Sequence, residues 1–415
     1  MPTHQRTRLD NGLDILAEDQ PNAHSVAVGL FVKTGTRDEP AELVGVSHFL
    51  EHMMFKGSQK YGWEDVNRIF DEMGARYNAF TSQEMTAYYA NVLPEFTERA
   101  VEHLSELLRP AIRESDFDTE KNVILEEIAM YADDPGHRLY EQVMQAHFEE
   151  HPLSLPILGT PASIKAMRRD DMAAYFKAHY GPGNMVLAVT GQFDFEQIVE
   201  LAKKYMGDWP AVNAARRHPQ RTFVAKTQRL SDPKLKRTYT MALTPGPSAQ
   251  DEDRFAARVL ADVVGDSDGS RFYWSLVETA IAEDADFGFY PHDGIGSFYI
   301  SLLTDPKRTR QALDLARAEV LKVRQDLTDD EVERAKNKLT SGLVLGGESP
   351  MSRMRALGSG FLYNGEYRSV DDDLRTVEAI TPKTVRDLLE KYSFDPMTIC
   401  MLGPEDVGQM QTPTD

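Results

Sequence analysis

The stretch VGVSHFLEHMMFKG places apolar residues at Val46, Phe49, Leu50, Met53 and Met54, a spacing that predicts a helix with one buried face. Helical patterns recur in VNRIFDEMG, FTERAVEHLSELLR and LTDDEVERAKNKL, where Thr328 and Glu331 are placed for a capping box. Between them lie extended patterns. LDILAEDQPNAHSVAVGLFVKTG predicts two strands joined by a turn, Phe223 to Leu243 predicts further extended segments, and the apolar run MTICML predicts a buried strand. Strands that return at intervals between helices indicate an α+β fold.

The pattern occurs twice. EKNVILEEIAMYADDPGHRL lies on AKNKLTSGLVLGGESPMSRM without gaps, so that Lys121 meets Lys336, Asn122 meets Asn337, Pro135 meets Pro350 and Arg138 meets Arg353. YGPGNMVLAVTGQFD likewise lies on YSFDPMTICMLGPED, matching Tyr180 with Tyr392, Met185 with Met397 and Gly191 with Gly403. In each copy a helical pattern precedes the tyrosine, and an apolar run follows it. The expected fold is therefore two homologous α+β domains, each a mostly antiparallel sheet with helices packed on it: residues 1–210, a polar linker at 211–228, and residues 229–415.

Composition narrows the partners. The 415 residues carry 66 acidic against 46 basic side chains, a formal charge of -20, which opposes binding to nucleic acid or an anionic membrane. An acidic surface suits basic peptides, or simply keeps the chain in solution. No apolar run is long enough to span a membrane and MPTHQRTRLDNGL has no signal-peptide core, so the expected location is cytoplasmic. The single cysteine, Cys400, cannot form an internal disulfide and is expected in the core.

The helix predicted first carries the candidate chemistry. His48 and His52 stand one turn apart on one side of it, close enough to reach a single ion. Zinc accepts such nitrogens, and a catalytic site needs a third protein ligand and an open position. Glu51, beside His52, is a carboxylate able to take a proton from a metal-bound water. The competing reading is a structural helix whose polar residues lie on a partly exposed face. In DFDTEKNVILEEI, Glu120 and Glu127 are seven residues apart and face the same way, so either is a candidate third ligand.

With H-x-x-E-H and this glutamate pair, the chain resembles the pitrilysin family of zinc peptidases, the inverzincins, whose metal motif runs in inverted order. It is most similar to the short two-domain type that includes the mitochondrial processing peptidase beta subunit and bacterial homologues. Glu127 lies 75 residues past His52, the separation that the family's third ligand keeps. The resemblance implies Zn2+ held by His48, His52 and Glu127, with Glu51 as general base and Glu120 supporting the site without touching metal. Tyr77 to Thr81 resembles the family's edge strand along which substrate lies, implying Asn78, Ala79 and Phe80 as substrate contacts. A chamber admitting peptides or unfolded segments is implied as well.

The second copy departs from the first. Arg258, Ala261 and Asp262 stand opposite His48, Glu51 and His52, and Gly342 stands opposite Glu127, so this copy has no equivalent ligand set. In many active relatives the second domain supplies an arginine and, seven residues on, a tyrosine that hold substrate main chain. Val277 and Asp284 occupy those positions here, and neither can supply the arginine's donors. The expectation is a zinc metalloendopeptidase that works as the zinc-bearing subunit of a heterodimer, its homologous partner carrying the missing pair. The alternatives are a peptidase acting alone, and an inactive metal-binding or structural subunit of an assembly. His137, His147 and His151 are expected at the surface or an interface, Asp371 to Asp373 at a solvated helix start, and GGES at Gly346 to Ser349 in a loop or a break between helices.

Overall fold

Every residue of VAVGLFV (Val26–Val32) and MVLAVTG (Met185–Gly191) is buried, as central strands require. In this computed structural model, which describes residues 3–219, 222–266 and 268–404, the two runs are β3 and β6. With β1 (Thr3–Arg8), β2 (Asp14–Asp19), β4 (Arg76–Thr81) and β5 (Thr86–Val92) they form one sheet of order β1-β2-β6-β3-β5-β4. Only the β2–β6 pair is parallel. A second sheet combines β7 (Thr227–Ser231), β8 (Thr238–Gly246), β9 (Asp284–His292), β10 (Ile295–Thr304) and β11 (Thr398–Gly403) in the order β7-β11-β8-β10-β9. Its one parallel pair is β7–β11.

Apart from β1, the two orders are the same, with β7 in the place of β2 and β11 in the place of β6. The internal repeat is thus a repeat of topology, and the α+β expectation of mostly antiparallel sheets with packed helices holds. The strands expected around the first turn are β2 and β3, but they are not neighbours: β6, from more than 150 residues on, lies between them.

The compact units do not follow the stretches 1–210 and 229–415. One comprises Met1–Met130, Leu155–Arg217 and Leu345–Arg368; the other comprises Tyr131–Ser154, His218–Val344 and Ser369–Asp415. Each sequence half gives one helix to the other half's sheet. Pro350–Asn364 buries Met354, Leu357 and Phe361 against Leu16, Phe31 and Val186 of the first sheet, while Pro135–Phe148 buries Leu139, Val143 and Met144 against Met241, Leu243 and Leu402 of the second.

The residues that matched in the repeat explain this exchange. Pro135 and Pro350 open the two helices, capped by Asp134 and Ser349. Arg353 then pairs with Glu18 on β2, and Arg138 pairs with Asp232 just past β7. Residues 220–221 of the expected linker and 405–415 of the expected second domain lie outside the described residues.

Among the smaller expectations, Thr328 and Glu331 form the capping box, Asp371 to Asp373 open a helix capped by Ser369, and Cys400 is buried in β11. GGES closes the helix Asp329–Glu348, and its serine caps the next one. His147 and His151 are corrections: both are buried, because their helix and the turn after it pack on the second sheet. His147 Nε2 meets Ser297 Oγ at 3.1 Å, and His151 Nδ1 accepts from the Leu153 amide.

Candidate metal centre

The predicted helix is Val46–Met54. Its apolar face, Val46, Phe49, Leu50, Met53 and Met54, is fully buried in the core of the first unit, which fixes the direction of the opposite residues. The helix starts at Gly45, whose φ of 94° and close approach to Gly159 exclude a side chain there. The buried Glu39 carboxylate accepts from the amides of Gly45 and Ser47, each at 2.7 Å, and so satisfies the helix's first donors. Burial pushes its pKa up to about 8, against the pull of those amides.

His48 and His52 reach the same point as Glu127, which a second helix, Glu114–Ala132, presents. Nε2 of His48 lies 3.8 Å, and Nε2 of His52 3.6 Å, from Glu127 Oε2; one donor atom from each of the three residues lies within 4.8 Å of the others. Tetrahedral zinc ligands at about 2.0–2.2 Å from the ion sit about 3.3–3.6 Å apart, so the set fits such an ion with a small inward movement. No other group of three or more metal-ligating residues comes together among the described residues.

Glu120, two turns before Glu127, faces the other nitrogen of His52 and accepts from Nδ1 at 2.8 Å. With Nδ1 engaged by Glu120, Nε2 is the nitrogen that faces Glu127. Lys56 Nζ meets the second oxygen of Glu120 at 2.5 Å. Oε2 of Glu51 accepts from Thr81 Oγ1 at 2.6 Å, and Thr81 ends β4.

The electrostatics separate these groups. Burial, with a contribution from His52, lowers the His48 pKa to about 3, so that imidazole is neutral. Burial also pulls His52 down, but Glu120, Glu127 and Glu51 outweigh it and raise its pKa. Glu51 is raised by burial, with Thr81 and His52 opposing and Glu127 adding to the rise. The Glu120 pKa is lowered, because its bonds to His52 and Lys56 exceed the effect of burial.

β4 is an edge strand, bonded to β5 alone. Asn78 is exposed on it, Phe80 is half-buried, and Ala79 is buried on the same face as Thr81. In the second unit, Arg258, Ala261 and Asp262 lie on the helix Arg254–Gly265, Val277 is half-buried at the end of a helical turn, and Asp284 is exposed at the start of β9. Lys56 and Thr81 are the contacts that the pattern did not single out. Lys56 follows His52 by one turn, and Thr81 alternates with Ala79; both signals exist only beside a known site.

The family model for insulinase (peptidase family M16) matches residues 14–161, and that for the peptidase M16 inactive domain matches residues 166–339. The chain belongs to peptidase family M16. An uncharacterized zinc protease of Streptomyces coelicolor is 31% identical over 97% of this chain and 90% of its own length. One of Mycobacterium tuberculosis is 32% identical over 96% and 93%. This M16 chain also shares its fold with a protease from Helicobacter pylori, with a TM-score of 0.91 at 20% identity over 97% of this chain and 100% of that one. A chain of Complex III2 from Candida albicans has the same fold, at a TM-score of 0.86 and 18% identity over 98% and 97% of the two chains. No helix among the described residues is long and apolar enough to cross a membrane.

Proposed function

We propose that this M16 chain is a zinc-dependent endopeptidase that cleaves peptides or unfolded segments. The observation that carries the reading is the convergence of His48, His52 and Glu127, with Glu51 on the helix of the two histidines. Zn2+ held by those three ligands would acidify a bound water toward neutrality and polarise a peptide carbonyl. Thr81 occupies Glu51 Oε2, which leaves Oε1 to accept the proton of the attacking water and return it to the leaving amine. Glu120 fixes the His52 ring. The open edge of β4 gives an extended substrate a main chain to pair with, past Asn78, Ala79 and Phe80, and such pairing tolerates varied side chains.

The partner follows from what the second half lacks. The side chains of Val277 and Asp284 offer none of the donors that an arginine would give to substrate main chain. We therefore assign the chain as the zinc-bearing subunit of a heterodimer with a homologous chain that carries the arginine and tyrosine. The same two positions favour the second reading, a proteolytically inactive subunit that retains its metal shell.

The test is zinc content and cleavage of a quenched fluorescent peptide library by the purified chain, alone and with Glu51→Gln. One zinc per chain, with cleavage that the substitution abolishes, establishes a self-sufficient peptidase and refutes the need for a partner. Zinc without cleavage supports the heterodimer if a homologous chain restores activity, and the inactive subunit if none does. A folded chain without zinc overturns the reading.

A further inference from the structure

We propose that Lys56 is a positioning residue of the metal site, acting through Glu120 to hold the imidazole of His52 in its ligand orientation. The inference rests on the zinc reading above and extends the ligand set by two steps.

Three side chains form a line: Lys56 Nζ to Glu120 Oε2 at 2.5 Å, then Glu120 Oε1 to His52 Nδ1 at 2.8 Å. Glu120 has two oxygens, and each has one partner in this line. Its side chain is only 5% exposed, so no bulk water stands ready to replace the ammonium if it is lost. A carboxylate bonded only through Oε1 is free to turn about its last torsion, and the imidazole it steers turns with it.

The backbone on both sides of the pair is fixed. Arg113, immediately before the Glu120 helix, donates from Nη1 to the Lys56 carbonyl at 3.2 Å, and the amide of Ala111 donates to the carbonyl of Gly57 at 3.0 Å. Gly57, at φ 96°, ends the chain's helical path just past Lys56. Lys56 therefore reaches Glu120 from an anchored position. An exposed ion pair contributes little, but this one has its acceptor in the protein interior and its effect is read at a ligand.

The experiment measures zinc affinity by chelator competition for the wild-type chain, Lys56→Met, Lys56→Arg, Glu120→Gln and the Lys56→Met/Glu120→Gln double variant. Melting of each zinc-free chain verifies the fold. Lys56→Met is expected to weaken zinc binding about 10–100-fold, the usual cost of losing an outer partner of a ligand, and Lys56→Arg to restore most of it. In the Glu120→Gln background the methionine is expected to add less than about twofold, since the two act in series. Wild-type affinity in Lys56→Met overturns the proposal, as does an undiminished loss in the Glu120→Gln background, which would place the lysine's effect elsewhere. A wild-type chain that takes up no zinc overturns the metal reading itself and the proposal with it, and the wild-type arm distinguishes that failure from the other two.

Discussion

Arg353→Met should loosen the whole first sheet. Its guanidinium donates from Nε and Nη2 to Glu18 Oε2 at 2.8 and 2.6 Å, and from Nη2 to the carbonyl of Arg368 at 2.8 Å. Both side chains are nearly dry, at 5% and 3% exposure. The substitution leaves the Glu18 carboxylate buried, with the Tyr367 hydroxyl still donating to it at 2.8 Å. Breaking a buried pair in this way costs about 3–5 kcal/mol, whereas replacing both partners by apolar side chains is neutral or better.

The helix that Arg353 pins covers β3 and β6, so the cost appears as easier opening of that sheet. In amide hydrogen exchange, 3–5 kcal/mol is about a 10²–10⁴-fold loss of protection in β2, β3 and β6. Protection in β8 and β10 should be unchanged, and Glu18→Met/Arg353→Met should recover most of the loss. The equivalent Arg138→Met is an internal control: its partner Asp232 is more exposed, and such pairs contribute at most about 1 kcal/mol. A loss below tenfold in Arg353→Met, or a double variant as weak as the single one, refutes the reasoning.

Three further outcomes are expected. Glu51→Gln should keep zinc and lose cleavage, whereas His52→Ala should lose both, as metal analysis and peptide assay will read. In the zinc-free chain, His48, whose folded pKa is lowered, gives stability that is present above 6.5 and lost as pH falls toward about 3; His52, whose folded pKa is raised, gives stability that is present below 6.5 and lost as pH rises through its folded value. Melting against pH should accordingly lose part of its acid slope in His48→Gln and part of its alkaline slope in His52→Gln. Gly45→Ala forces a side chain into the left-handed region with its Cβ 2.7 Å from Gly159 Cα, so it should cost about 1–3 kcal/mol in thermal unfolding and weaken zinc binding by moving the start of the ligand helix.

The parts that were legible in the sequence share a physical cause. A half-buried helix writes its period into the chain, so Val46–Met54 and the strands β3, β6 and β11 could be located without coordinates. His48, Glu51 and His52 stood out because metal chemistry needs rare residue types at helical spacing. Burial, however, does not say against what. Nothing in PMSRMRALGSGF states that its apolar face belongs to β3 rather than β8, and the period of the histidine helix Pro135–Phe148 does not name its sheet either; both choices depend on contacts between segments far apart in the chain. The same limit explains the missed polar residues. Lysine and threonine are common at any surface, and Lys56 and Thr81 acquire meaning only from the carboxylate each one meets, at 2.5 and 2.6 Å. One of those carboxylates, Glu51, is the proposed base, and the other, Glu120, stands behind the proposed ligand His52. Sequence pattern therefore finds the atoms that a metal would touch, and the tertiary fold decides which ordinary side chains hold those atoms in place.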